Sequence, residues 1–199
     1  VAIGSGAAQL TQGISSVAIG NIAGAANQGN DAIAVGSNAG QIQQGNSAIA
    51  IGKLAAQYGQ QPNAIAIGNA AGQTGQQGNG IAIGTSAAVT GQQSEAVAIG
   101  FSAGQTGQQR NGVAIGSAAG QTGQGASSVA IGFNAGALRQ GSTGAVAIGL
   151  NTGQFSQGNS AVAIGVNAGQ TGQGNFTIAI GNATGKTQQG LGCIAIGGG

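Results

Sequence analysis

The sequence predicts an all-β fold, a β-solenoid or parallel β-roll that takes sixteen residues per coil. Three observations predict it. A four-residue phrase, Val/Ile-Ala-Ile/Val-Gly, occurs thirteen times, from Val1-Ala2-Ile3-Gly4 to Ile194-Ala195-Ile196-Gly197. The copies begin at residues 1, 17, 33, 49, 65, 81, 97, 113, 129, 146, 162, 178 and 194, so every step is sixteen except the seventeen from 129 to 146. A fixed period of this size marks a repeat architecture. Within the phrase the order large, small, large has the period of a strand, whose neighbours point to opposite faces. Finally, one place in every complete repeat is always Gln.

Let the Val or Ile that opens each phrase be position 1. Val and Ile are stiff at χ1 and favour strands. Position 2 is Ala in all thirteen copies, so one face carries a column that never admits a larger side chain. The opposite face carries position 3, the column Ile19, Ile51, Ile67, Ile83, Ile99, Ile115, Ile131, Ile148, Ile164 and Ile180, with Val35 in its place once. Whether Val/Ile or Ala faces the coil interior is open at this level. Position 4 is always Gly, which suits a bend that ends the strand. Position 7 is Ala in ten of twelve repeats, with Thr152 and Thr184 as exceptions, and position 8 is Gly or Ala, so a tight corner of small residues follows.

Position 12 is the invariant amide: Gln12, Gln28, Gln44, Gln60, Gln76, Gln92, Gln108, Gln124, Gln140, Gln157, Gln173 and Gln189. An amide at fixed spacing predicts a ladder, each side chain bonding to the one a coil away, as stacked parallel strands allow. The stretch Gln73-Thr74-Gly75-Gln76 and its relatives predicts a second, shorter strand. Position 10 (Leu10, Ala26, Ile42, Tyr58, Thr74, Phe155) is mixed, as a tolerant or partner-facing surface would be. Gly-Asn-Ser, Gly-Asn-Asp and Gln-Pro-Asn sequences carry turn chemistry between coils. The extra residue of the long repeat is expected near Ser142-Thr143-Gly144-Ala145, where a turn absorbs it. A helix is excluded by several Gly per sixteen residues, each costing about 1 kcal/mol relative to Ala. Residues 1–199 therefore read as a single repeat array. About twelve coils rising about 4.8 Å each give a rod of about 60 Å. Since the ends fall almost on the repeat boundary, the chain reads as processed or as part of a longer array.

Composition limits the function. Gly is 44 of 199 residues, charged residues are 3% and aromatics 3%, while 41% are hydrophobic. That is too apolar for charged disorder. Lys53, Arg110, Arg139 and Lys186 oppose Asp31 and Glu95, and the net charge of +2 comes from scattered groups, with no clustered basic face for nucleic acid. No apolar run reaches the length of a membrane-spanning helix. His is absent and Cys193 is single, so no disulfide forms within the chain and no base activates the thiol. Asp31 and Glu95 stand four coils apart, about 19 Å, too far for a carboxylate pair. Gly181-Asn182-Ala183-Thr184-Gly185-Lys186-Thr187 is one residue short of a phosphate loop and keeps the register of every other repeat. Asn175-Phe176-Thr177 and Asn182-Ala183-Thr184 match a glycosylation pattern that a repeat of this kind produces by chance. No catalytic, cofactor or metal site is expected, and the chain reads as no enzyme.

Val17-Ala18-Ile19-Gly20, Ser128-Val129-Ala130-Ile131-Gly132 and Ala161-Val162-Ala163-Ile164-Gly165 resemble the head repeats of trimeric autotransporter adhesins, the YadA-like family, as do the Ala at Ala23, Ala39 and Ala71. The resemblance covers the whole chain. It implies a left-handed parallel β-roll, a trimer of chains, and a head that binds host surfaces. The coil here is longer than the family's, and the family's neck, stalk and membrane anchor have no counterpart in these residues. The expectation is a self-assembling structural protein of an extracellular, cell-surface or virion-surface fibre, adhesin-like. Its partners are itself, laterally and end to end, and a host-surface protein or glycan, with no nucleic acid. The alternatives are a purely mechanical filament or sheath subunit, virus-encoded ones included, and an ice-binding solenoid with a Thr file at Thr74, Thr90, Thr106 and Thr122.

Overall fold

A computed structural model describes residues 1–141 and 143–198. Among them there is no helix, and parallel strands stack as a β-solenoid of about twelve turns at sixteen-residue spacing. The chain divides into two compact units, Val1–Ala96 and Val97–Gly199.

In the first unit the phrases form the strands Ala2–Ile3, Val17–Ile19, Ile33–Val35, Ile49–Ile51, Ile65–Ile67 and Ile81–Ile83, each paired in parallel with the next. Each residue faces the one sixteen positions on: Ile49 meets Ile65, Ala50 meets Ala66, Ile51 meets Ile67. In the second unit the strands are Val97–Ile99, Val113–Ile115, Val129–Ile131, Val146–Ile148, Val162–Ile164, Ile178–Ile180 and Ile194–Ile196. Their register survives the long repeat, where Val129, Ala130 and Ile131 face Val146, Ala147 and Ile148.

The other side of each coil is less regular. The first unit has second strands at Leu10–Gln12, Ala26–Gln28, Ile42–Gln44 and Tyr58–Gln60, the second unit at Leu138–Gln140, Phe155–Gln157 and Thr171–Gln173. The stretch around Thr74, expected as a strand, makes single bridges instead, Tyr58 to Thr74 and Thr74 to Thr90. Position 11 is Gly through this stretch, at Gly75, Gly91, Gly107 and Gly123, although Gly59 and Gly172 hold the same place inside strands. Gly has no side chain to pack on the pleat and weakens strands. The rung bonds persist all the same, with Gly75 N–H donating to Tyr58 O at 2.9 Å.

The interior belongs to Ala. Ala18, Ala34, Ala50 and Ala66 in the first unit, and Ala98, Ala114, Ala130 and Ala147 in the second, are fully buried. Position 7 (Ala23, Ala39, Ala103, Ala119) and position 16 (Ala32, Ala48, Ser128, Ala161) are buried with them. These small side chains from three positions pack inside beside the buried Gln of position 12. The invariant Gly at position 4 has two causes. Gly68 has φ +130°, a conformation that L side chains rarely adopt, and a Cβ there stands 2.6 Å from Gly84 O on the next coil. The coils are stacked as closely as their backbones permit.

The long repeat is absorbed between Gln140 and Ala145. In the coil before it the position-12 amide reaches a carbonyl four residues on, Gln124 to Ser128, and in the coil after it Gln157 reaches Ala161, but Gln140 reaches Ala145, five on. Of the four residues expected to hold the insertion, Ser142 lies outside the described residues. Its neighbours show the repair. The Ala145 N–H, whose counterpart Ala161 N–H donates to Gly158 O within its own turn, donates here to Ser128 Oγ of the preceding coil at 3.1 Å.

Candidate interaction face

The sequence singled out two columns, and the structure sends them in opposite directions. The Gln column points inward. Gln28, Gln44, Gln60, Gln76, Gln92, Gln108, Gln124, Gln140, Gln157 and Gln173 are all buried, and they include the largest fully buried side chains of the chain. Burying an amide costs free energy unless its hydrogen bonds are made. Gln44 makes them in three directions: Nε2 donates to Ile33 O at 2.8 Å, to Ala48 O at 3.2 Å and to Gln60 Oε1 at 3.3 Å. The first two acceptors lie at positions 1 and 16 of its own coil, so the amide is a strut across the narrow interior. The third ties one coil to the next. Gly40 at position 8 leaves room for it, since a Cβ there stands 2.7 Å from Gln44 Oε1, while Ala56 and Ala88 are fully buried at the same place in the coils of Gln60 and Gln92.

The amide ladder differs between the units. In the first it runs unbroken from Gln28 through Gln44, Gln60 and Gln76 to Gln92 at 3.0 to 3.3 Å. In the second, Gln108 donates to Gln124 at 3.0 Å and Gln173 to Gln189 at 3.2 Å. The Oε1 atoms of Gln140, Gln157 and Gln173 in the second unit are buried without a partner, as is that of Gln28 where the first unit's ladder starts. The gap begins at the coil that carries the inserted residue. A second amide column, missed in the sequence because Gln is common there, stands at position 9: Gln57 donates to Gln41 at 2.8 Å and Gln73 to Gln57 at 3.0 Å. It donates toward lower numbers and the inner column toward higher ones, so the two rows of amide dipoles oppose each other.

The Ile column points outward, which answers the question of interior packing left open by the sequence. Ile19, Ile51, Ile67, Ile99, Ile115, Ile131, Ile148 and Ile164 are each 36–38% exposed, and Ile83 and Ile180 are half-buried. Val17, Ile33, Ile49 and their equivalents at position 1 are half-buried beside them. Each unit therefore shows an apolar stripe one side chain wide, Ile at every rung but that of Val35. Contiguous apolar surface of this kind makes a candidate interaction face.

Two more exposed columns flank the coil. Position 10 carries Ile42, Tyr58, Thr74 and Thr90 in the first unit and Thr106, Thr122, Leu138 and Phe155 in the second. Position 5, just past the Gly bend, carries Asn21, Lys53 and Asn69 in the first unit and Phe101, Phe133, Leu150 and Val166 in the second. There are shallow grooves. One of about 480 Å³ has Asn27, Gln43, Asn46, Gln61 and Pro62 on its walls, and one of about 400 Å³ has Thr122, Leu138, Arg139, Phe155 and Ser156. Arg139 lines that groove together with Leu138 and Phe155, and no acidic residue is among its walls.

The chemical motifs are absorbed by the fold. Asn175 Oδ1 accepts the Asn159 N–H at 2.9 Å, and Thr177 is buried with its hydroxyl on Gly174 O, so the Asn175-Phe176-Thr177 pattern is a turn in use. Thr184 Oγ1 donates to Gly197 O at 2.5 Å, within the segment that resembles a phosphate loop. Among the described residues no three of His, Cys, Asp and Glu gather to hold a metal ion, and no helix is long and apolar enough to cross a membrane. Comparison with protein-family models, curated proteins and solved structures returned no match to this chain.

Proposed function

We propose that this chain is a self-associating structural protein, a β-solenoid displayed outside a cell or particle as part of a fibre or adhesive head. The observation that carries the reading is the outward Ile column. A soluble chain that worked alone would place polar groups at position 3, whereas every coil here places Ile or Val there. Low charge and strict repetition support the same reading, because identical rungs offer identical contacts along the whole face. Copies meet laterally, in threes around a shared apolar axis as the likeness to trimeric adhesin heads implies, and end to end through unpaired strand edges. A host-surface protein or glycan is the partner of the adhesive form.

Negative-stain electron microscopy of the purified chain tests this. Fibres or uniform oligomers are expected, and compact monomers would count against it. A binding screen against matrix proteins and glycans then separates an adhesive head, with saturable binding, from a purely mechanical filament. The exposed Thr column at Thr74 and Thr90, and at Thr106 and Thr122, gives the ice-binding reading its one point of support. Thermal hysteresis would establish it and its absence removes it.

A further inference from the structure

We infer that the second unit carries the contact between copies, along its Ile column and the apolar position-5 column beside it, and that the copies lie parallel and in register. This rests on the self-association proposed above and names the surface that produces it. Phe101 is 61% exposed, Phe133 52%, Leu150 44% and Val166 42%. Each stands two residues beyond an exposed Ile, across a Gly bend, so an aromatic or aliphatic side chain widens the stripe at four of six coils. Positions 1, 3 and 5 carry no charge in this unit.

The first unit makes the opposite choice at the same place. Its column reads Ser5, Asn21, Ser37, Lys53, Asn69 and Thr85. Pairing through that column sets Lys53 against the Lys53 of a second copy, a repulsion that no acidic neighbour on the face relieves. The first unit therefore keeps its flank wet while the second is dry and adhesive.

Three arguments make a second copy the occupant. Exposed side chains recur once per rung, at about 4.8 Å, and a partner that meets every rung must share that spacing. With Leu150 and Val166, a six-rung face with two Phe and six Ile offers accessible surface on the order of the roughly 800 Å² per partner of a standard stable interface. The polar gaps match themselves as well. In a parallel, in-register pair Phe101, Phe133, Leu150 and Val166 each meet their own kind, Ser117 meets Ser117 and Asn182 meets Asn182. An antiparallel pair sets Asn182 against Phe101 and Ser117 against Val166, leaving a buried amide without a partner.

The test uses the full chain. Sedimentation equilibrium of the unaltered chain is compared with the Phe101→Ser/Phe133→Ser double variant and with Lys53→Ser/Asn69→Ser. Ser117 already occupies the same column, so Ser is tolerated there, and circular dichroism checks that each variant keeps its β signal. The Phe variant is expected to weaken self-association at least about tenfold, as loss of buried aromatic anchors does, with the first-unit variant unchanged or tighter. Then, in a Cys193→Ala background, Phe133→Cys is oxidised and run on a non-reducing gel, and a disulfide-linked dimer is expected. An unaltered chain that is monomeric throughout defeats the self-association reading itself. An unaltered chain that associates, with the Phe variant associating equally well or Phe133→Cys failing to cross-link, overturns this inference alone.

Discussion

The first unit, Val1–Ala96, and the second, Val97–Gly199, wind the same coil but finish it differently inside and outside. In the first unit the inner amides are linked from Gln28 to Gln92 and the flank at position 5 is polar. In the second, the inner ladder has three unpartnered Oε1 atoms, at Gln140, Gln157 and Gln173, against Gln28 in the first, and the flank is largely aromatic and aliphatic. The winding does not depend on either feature. It comes from what the units share: Ala at position 2, Gly at position 4, and the reach of each Gln to the carbonyls of its own coil. The surface is thus free to vary without disturbing the coil, which lets one repeat carry both a polar-flanked half and an apolar-flanked half.

The largest expected effect is one on which the units agree. Gly68→Ala in the first unit and Gly116→Ala in the second each force a strained φ, +130° and +123°, and put a methyl group 2.6 to 2.7 Å from the next coil's carbonyl oxygen. Each is expected to lower unfolding free energy by at least about 3 kcal/mol in urea denaturation. Unequal effects would mean that the two windings are not the same structure. Next come the amides, where the units should differ. Gln76 donates to Ile65 O, Gly80 O and Gln92 Oε1 and accepts from Gln60, while Gln157 donates to Val146 O and Ala161 O and its Oε1 accepts nothing. Gln76→Ala should destabilise by about 3 kcal/mol and Gln157→Ala by about 1 kcal/mol less. Equal losses would show that the coil-to-coil bond contributes nothing.

Ser128→Ala removes the hydroxyl that accepts the Ala145 N–H and leaves that buried donor unmatched, for about 1–2 kcal/mol by thermal melting. The smallest effect is expected at position 10. Thr90→Val and Thr122→Val are exposed in their respective units and should change stability by less than about 0.5 kcal/mol. A larger loss would give this column a structural part that its exposure denies.

The winding was legible because stacked coils write their period directly into the chain: thirteen phrases, strand alternation within each, and one Gln per turn. The direction of the columns was not. Ala and Ile are both apolar, and alternation says only that they oppose each other. What decides it is a contact between residues eleven apart, the Gln side chain reaching the position-1 carbonyl across the coil, which draws position 12 and position 2 into one interior. Position 16 escaped notice because its residues vary in type, Ser16, Ala32, Gly80, Ser128 and Thr177, and share only small size. Size was the signal, and identity concealed it. The contrast at position 5 was present in Phe101 and Phe133 as residues, but it acquired meaning once their exposure beside Ile99 and Ile131 was known.

The most direct measurement is the sedimentation equilibrium mass of the unaltered chain over a wide concentration range, with Ile99→Asn/Ile131→Asn alongside it. An outward Ile column that serves as a contact requires a mass above the monomer that rises with concentration and falls back in the Asn variant. A single monomeric mass for both proteins at every concentration would contradict it.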